Sequence, residues 1–280
     1  AEEREINGST DTERGVSLAH TFELARGGLK IGVDYLEKDR DGNLRVFGIN
    51  GDVLEEDTAP NGIYRIEERR LDPFVKYDAR YGALAVEAGL RFETTDVDVR
   101  GEAGLASRSY EVLTPSLHLK WSVTDSTRLY ASFARTVRRP DFDLIAPYEL
   151  EEEPADEDTL RGNPLLEPER AWGVDAGFER RLGTAGIVGV NLFFRDIDDV
   201  IELTATGEPS GNGGLVFTPQ NVSNGTVWGA ELDASFPLTA LGLENTGVFL
   251  NAAWLDSQID DPVLGGKRRF QNQPDYIVNA

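Results

Sequence analysis

The strongest constraint on this chain is a period-two alternation of apolar and polar residues, broken at intervals by short polar turns. It is clearest between Leu113 and Thr136. Leu117, Leu119, Trp121 and Val123 share one parity, and Ser116, His118, Lys120 and Ser122 share the other. After a polar turn at Thr124, Asp125 and Ser126, the residues Leu129, Ala131 and Phe133 alternate with Arg128, Tyr130 and Ser132. Successive side chains of a strand point to opposite faces, so this stretch predicts an antiparallel hairpin with one greasy and one wet face.

The unit recurs along the chain. Alternating runs at 16–24, 29–35, 66–77, 84–92, 172–178, 188–194, 227–236 and 248–254 follow the same rule, and 274–280 reads as the start of another. About eleven strand candidates result. Pro73 falls inside one of them; proline has no N–H to give to a ladder, which predicts a bulge or local break there. No stretch has convincing helical spacing. Residues 1–14, 38–62, 96–109, 137–169, 196–220 and 256–273 are polar and predict loops, with a short hairpin near Val46 to Ile49 as the alternative within 38–62. The turns at 26–28, 78–82, 124–126, 182–186 and 237–244 are short.

The charge balance narrows the partners. A net charge of −22 repels phosphates and disfavours nucleic acid. With no cysteine there is no disulfide framework and no thiolate metal site. His20 and His118 sit on different strands without an HExxH pattern, so no metal is expected. The lack of a GxSxG element argues against a barrel esterase, and acids such as Glu87 and Glu231 read as wet-face residues, not a glycosidase pair. Neither catalysis nor a cofactor is expected. No run of about 18 apolar residues forms a spanning helix. A transmembrane barrel escapes that test, because its strands are only weakly apolar on average. The chain opens on Ala1 without a signal peptide, as expected of a mature protein or an excised piece.

Two architectures fit the alternation. One is a soluble secreted β-sandwich that binds glycans; the other is an antiparallel transmembrane barrel. Short turns alternate with long connections, as in barrels with short periplasmic turns and long extracellular loops. All four tryptophans, Trp121, Trp172, Trp228 and Trp254, fall on the apolar parity near strand ends, as interfacial girdles do. The barrel is therefore preferred. Arg135 is a misfit: parity puts it on the apolar face with Leu129 and Phe133, late enough in its strand to reach the headgroup layer. His20 is a second misfit, with no account in the sequence.

The segments RLYASFARTVRRPDFDLIAP, GNPLLEPERAWGVDAGFE and NVSNGTVWGAELDASFP resemble the barrel of TonB-dependent outer-membrane receptors. So do GLKIGVDYLEKDRDG and LAVEAGLRFETTD, in collinear order. The resemblance implies a 22-stranded barrel in the outer membrane of a Gram-negative bacterium, of which residues 1–280 form a partial domain of roughly 10–12 strands. It implies partners outside this sequence, namely a plug domain and TonB, besides outer-membrane lipid. It implies active uptake of a scarce small molecule, a ferric siderophore or an oligosaccharide, bound by extracellular loops and lumen wall. A surface barrel acting as an adhesin is a weaker option.

Candidate ligand residues follow. Arg138, Arg139 and Asp141 stand at the mouth, where arginines grip anionic groups; pairing with the nearby acidic run EEEPADED is the slightly preferred alternative. That run matches no Ca²⁺-loop spacing and reads as solvated loop. Asn163, in GNPLLEPE, reads chiefly as a turn residue between Pro164 and Pro168, with ligand contact as the second reading. Glu231 and Asn251 are placed on the lumen face.

Overall fold

Ten long strands pair in sequence, each antiparallel to its predecessor, because alternating sequence leaves every strand one face to bury or immerse and two edges to satisfy. The computed structural model describes residues 2–50, 53–57, 61–102, 104–151, 158–183, 185–210, 213–239, 242–243, 246–261 and 265–280. In chain order these hold β1 (Glu2–Leu24), β2 (Gly27–Asn50), β3 (Val53–Asp57), β4 (Ile63–Tyr81), β5 (Leu84–Gly101), β6 (Gly104–Ser122) and β7 (Thr127–Arg138). A helical turn, α1 (Phe142–Ile145), leads to β8 (Glu149–Glu151) and β9 (Thr159–Arg161). Then come β10 (Glu169–Leu182), β11 (Gly186–Pro209), β12 (Leu215–Pro237), β13 (Gly247–Asp260), β14 (Lys267–Arg268) and β15 (Tyr276–Asn279). All belong to one sheet, ordered β1-β2-β4-β5-β6-β7-β10-β11-β12-β13, with β14 and β15 both pairing β13.

A single sheet rules out the sandwich: among the described residues no second layer covers the apolar face. Trp121 and Trp254 are 50% and 51% exposed, and Leu18 is 66% exposed. Phe92, Phe133, Val174, Leu192 and Phe194 are exposed too. In water so continuous an apolar surface would drive aggregation; against hydrocarbon it is the required one. From Trp228 to Phe236, the apolar run of β12 covers roughly 26 Å of strand at ~3.3 Å per residue, which at a barrel tilt of about 40° spans about 20 Å of an apolar band about 25 Å tall.

The expected loops at 1–14, 38–62, 96–109 and 196–220 are mostly strand. β2 runs for 24 residues, although about 10 suffice to cross a bilayer. In these extensions the outer face turns polar, and on β4, β5 and β6 the apolar residues shift to the inner parity, so the alternation of the spanning part is lost while ladder pairing continues. β5 and β6 pair from Leu84↔Trp121 to Gly101↔Gly104. Pro73 produces a local break and no bulge: β4–β5 pairing stops at Leu71↔Thr94 and resumes at Phe74↔Arg91 in the same register. The acidic run falls at 152–157 mostly outside the described residues. α1 is a single turn inside the expected 137–169 loop.

The core lies where the sequence reading placed only wet surface. On the inner face of the outer extensions, Tyr64, Ile66, Val97, Val99, Tyr110 and Val112 pack against Ile145, Ala146 and Leu166 of the β7–β10 connection. Ile66 is fully buried. The connection thus folds inward onto the wall. It is pinned by backbone as well: β9 pairs parallel to β12 at Val216↔Thr159 and Phe217↔Leu160, beyond Gly225↔Ile259, the last β12–β13 pair. Asn163 Nδ2 donates to the Pro219 carbonyl at 3.0 Å, and its Oδ1 accepts from Leu165 N–H at 3.0 Å. Asn221 Oδ1 accepts from Glu167 N–H, and Asn221 Nδ2 donates to the Glu167 and Asp199 carbonyls. At Gly162 a Cβ would drive into the Ala146 carbonyl. Burial pushes the Tyr110 hydroxyl from 10.0 up to about 12.

Three outcomes are expected in the complete polypeptide refolded into lipid. Leu90→Arg, on the outward face, costs about 2–4 kcal/mol, while Glu87→Gln, which loses a half-exposed ion pair to Lys76, costs under about 1 kcal/mol; the reverse order in a folding titration rejects the face assignment. Gly162→Ala displaces the inward-folded connection and leaves the wall intact, seen as faster hydrogen exchange confined to 139–168. The raised Tyr110 hydroxyl favours the packed state fully below pH 10.0 and loses that effect as pH climbs toward about 12. Proteolytic nicking of the connection therefore rises through that window, and Tyr110→Phe flattens the rise.

Candidate lumen site

The inner parity of β2, β4, β5 and β6 brings charges of opposite sign side by side. Arg139, from the connection, bonds Glu93 at 2.7 Å. Glu93 lies 3.6 Å from Arg70, which bonds Asp72 at 2.7 Å. Asp72 lies 3.7 Å from Arg91, which bonds Asp34 at 2.7 Å. Three arginines and three acids alternate from the mouth down the wall, with no net charge. Alternation is what allows a side chain as buried as Asp72 to keep company with ions, since each desolvated charge faces an opposite one. Arg139 also donates to Thr95 Oγ1 at 3.2 Å and lies over the Tyr110 ring, and Arg91 stacks on Phe74 at 4.8 Å.

Above this ladder is a recess of about 500 Å³ bounded by β1, β2 and α1, with Asp11, Arg40, Arg70, Arg139, Asp141 and Asp143 in its lining. Arg40 ties its two sides together: its Nε donates to Asp11 at 2.7 Å, its Nη1 donates to Asp143, and its guanidinium covers the Phe142 ring. The Arg40 contact holds the Asp11 carboxyl below the usual range, and Asp11 with Asp143 keeps Arg40 firmly protonated. A second recess, nearer the short turns, is lined by Tyr130, Ser132, Asp175, Asn191, Glu231 and Asp233 among others.

The candidate residues divide among these places. Arg139 and Asp141 meet in the mouth recess. Arg138 is largely exposed and bonds Glu169 at 3.2 Å, so its acid comes from the end of GNPLLEPE. Asn163 spends both ends of its amide on the chain's own backbone. Glu231 accepts from Asn191 at 3.0 Å in the lower recess, and Asn251 donates to Asp233 beside it. Arg40, Arg70 and Asp72 were not singled out by the sequence reading. The polar parity of β2 and β4 carries them, but the partners of Arg40 lie 29 and 103 positions away, and Arg70 and Asp72, two positions apart, join the ladder only through Glu93 and Arg91 of the neighbouring strand.

Inner-face aromatics are laid against glycines of the neighbouring strand: Phe74 on Gly32, Tyr130 on Gly177 and Phe193 on Gly229, each a direct cross-strand pair. Of the two misfits, His20 meets the Phe22 ring edge-on at 4.6 Å, and Arg135 lies over Trp172.

Residues 4–280 match the family described as TonB dependent receptor-like, beta-barrel. The heme/hemopexin utilization protein C of Haemophilus influenzae (strain 86-028NP) is 25% identical over 273 residues, covering 86% of this chain and 36% of its own length. The ferric citrate transporter FecA in its unliganded form superposes with a TM-score of 0.68 at 16% identity, over 92% of this chain and 37% of that one. The alcaligin outer membrane receptor FauA from Bordetella pertussis gives 0.61 at 12% identity, over 99% and 43%. The chain thus spans little more than a third of the curated relative's length. An antiparallel sheet with a lipid-compatible outer face, a wet inner face and a match over nearly all its residues places the chain in the TonB-dependent receptor β-barrel family, Gram-negative outer-membrane proteins.

Proposed function

We propose that this chain is part of the barrel wall of a receptor that takes up an iron-bearing, anionic chelate across the outer membrane, driven through TonB and gated by a plug domain. Among the described residues no strand pairs the outer edge of β1, which supports the partial-wall reading: backbone groups facing hydrocarbon need neighbouring strands. The observation that carries the ligand class is the arginine-bearing strip from Arg40 through Arg139 and Arg70 to Arg91, which faces the lumen from the mouth inward. Guanidinium forks bind carboxylate and catecholate oxygens while keeping one acid partner, because each carries five donors. The names of the relatives point the same way, toward heme and ferric chelates. Within this reading Arg139 and Asp141 touch ligand at the mouth, Arg138, Glu231 and Asn251 lie along its route, and Asn163 holds the connection in place.

A deletion strain is expected to lose growth on iron-poor medium supplied with a ferric chelate and to grow normally on single glycans; the opposite pattern assigns the oligosaccharide. Arg139→Gln in the complete receptor, with barrel folding verified by heat-modifiable gel mobility, is expected to weaken chelate binding about tenfold, the size of one charge-assisted hydrogen bond. Unchanged affinity removes Arg139 from the site.

A further inference from the structure

The outward parity changes character one step above the aromatic girdle. Arg14 follows Val16, Arg69 follows Leu71, Arg135 follows Phe133 and Arg170 follows Trp172. Some of these cations have acids: Arg69 bonds Glu67 at 3.0 Å and Arg170 bonds Asp199 at 2.8 Å. Arg135 makes no ion pair among the described residues; its Nε is enclosed without an acceptor, which leaves its two terminal amino groups to meet a ligand. Its guanidinium rests over the Trp172 ring, 5.6 Å from the centroid, directly across the β7–β10 ladder. Trp172 is itself stacked on Phe133 with centroids 5.0 Å apart, and both rings are exposed on the outer face beside Val174.

The arrangement is a cation fixed on an aromatic shelf, at the level where hydrocarbon gives way to headgroups, with donor capacity left over. We propose that Arg135 and Trp172 form a binding site for the phosphate of a phosphorylated glycolipid of the outer leaflet, whose acyl chains lie down the Phe133–Val174 surface. The site rests on the outer-membrane location of the chain and not on the uptake reading. Phosphate oxygens match the guanidinium fork in two-point fashion. The exposed apolar wall directly below favours a ligand that carries both a phosphate and a hydrocarbon part, which free phosphate lacks. Asp196, paired with Trp172 on its other side, confines an anion to the β7 side of the ring.

The test uses the complete receptor in detergent, read by native mass spectrometry and titrated with bisphosphorylated lipid A, the same lipid dephosphorylated, and inorganic phosphate. The wild-type receptor is expected to bind the phosphorylated lipid about tenfold more tightly than the dephosphorylated one. Arg135→Gln abolishes that difference, Arg135→Lys keeps part of it, and excess inorganic phosphate does not compete. Equal binding of the two lipids by the wild type overturns the site without recourse to any variant. Displacement by inorganic phosphate overturns the lipid assignment, and undiminished discrimination in Arg135→Gln places the phosphate elsewhere. Because the readout is lipid binding in vitro, a failed uptake reading leaves the result interpretable.

Discussion

Backbone N–H and C=O groups cannot be left unpaired in hydrocarbon, and that requirement shapes everything else in this chain. Each unsatisfied group costs several kcal/mol there, so a spanning segment that is not helical must pair along both edges. The ten-strand ladder from β1 to β13 meets the demand strand by strand between its two outer edges. Even at Pro73, which has no N–H to give, the break is limited to two residues and the register survives it. With edges committed to pairing, the side chains are free to divide by parity, one set against lipid and the other toward the lumen. Alternation in the sequence follows from this division.

The same logic explains what was legible. Within the bilayer the two faces meet different solvents, so composition differs between parities, and strands such as Leu84–Gly101 announce their first half plainly. Beyond the girdle the outer face meets water, and on β4, β5 and β6 the inner face meets the folded-in connection, so the contrast changes parity although the ladder does not change. There the strands are held by short polar cross-strand bonds, such as Ser107 to Asp98 and Ser109 to Asp96, which look like loop chemistry in a one-dimensional reading. The run Val97–Val99 shows the cost of that ambiguity. Its residues are an inner-face core pair, yet flanked by Asp96 and Asp98 they read as a polar connection.

The site was legible in part for a related reason. Arg138, Arg139 and Asp141 were placed at the mouth because they cluster in sequence, and Glu231 and Asn251 on the inner face because parity assigned them there; the structure puts Arg139 and Asp141 in the mouth recess and Glu231 in the lower one. The ladder Arg139–Glu93–Arg70–Asp72–Arg91–Asp34 could not be placed in this way, because its members come from four separate elements and only register brings them within 4 Å. Asn163 shows the converse. Its place in a compact motif suggested either turn or ligand, and only the position of Pro219, 56 residues away, decides that its amide is spent on structure.

The net charge of −22 is therefore a poor guide to what the lumen prefers. Charge summed over a chain governs long-range repulsion, which is screened over roughly 8–10 Å at physiological salt. A ligand inside the wall meets local groups instead, and the upper wall presents three arginines against three acids. A neutral strip of alternating ions neither traps an anion nor expels it. It offers each ligand oxygen a nearby donor and each donor a standing alternative partner, so contacts can be exchanged along the strip at little net cost. A wall with arginines alone would hold an anionic chelate at the first one it met, which would oppose the passage that the proposed uptake requires.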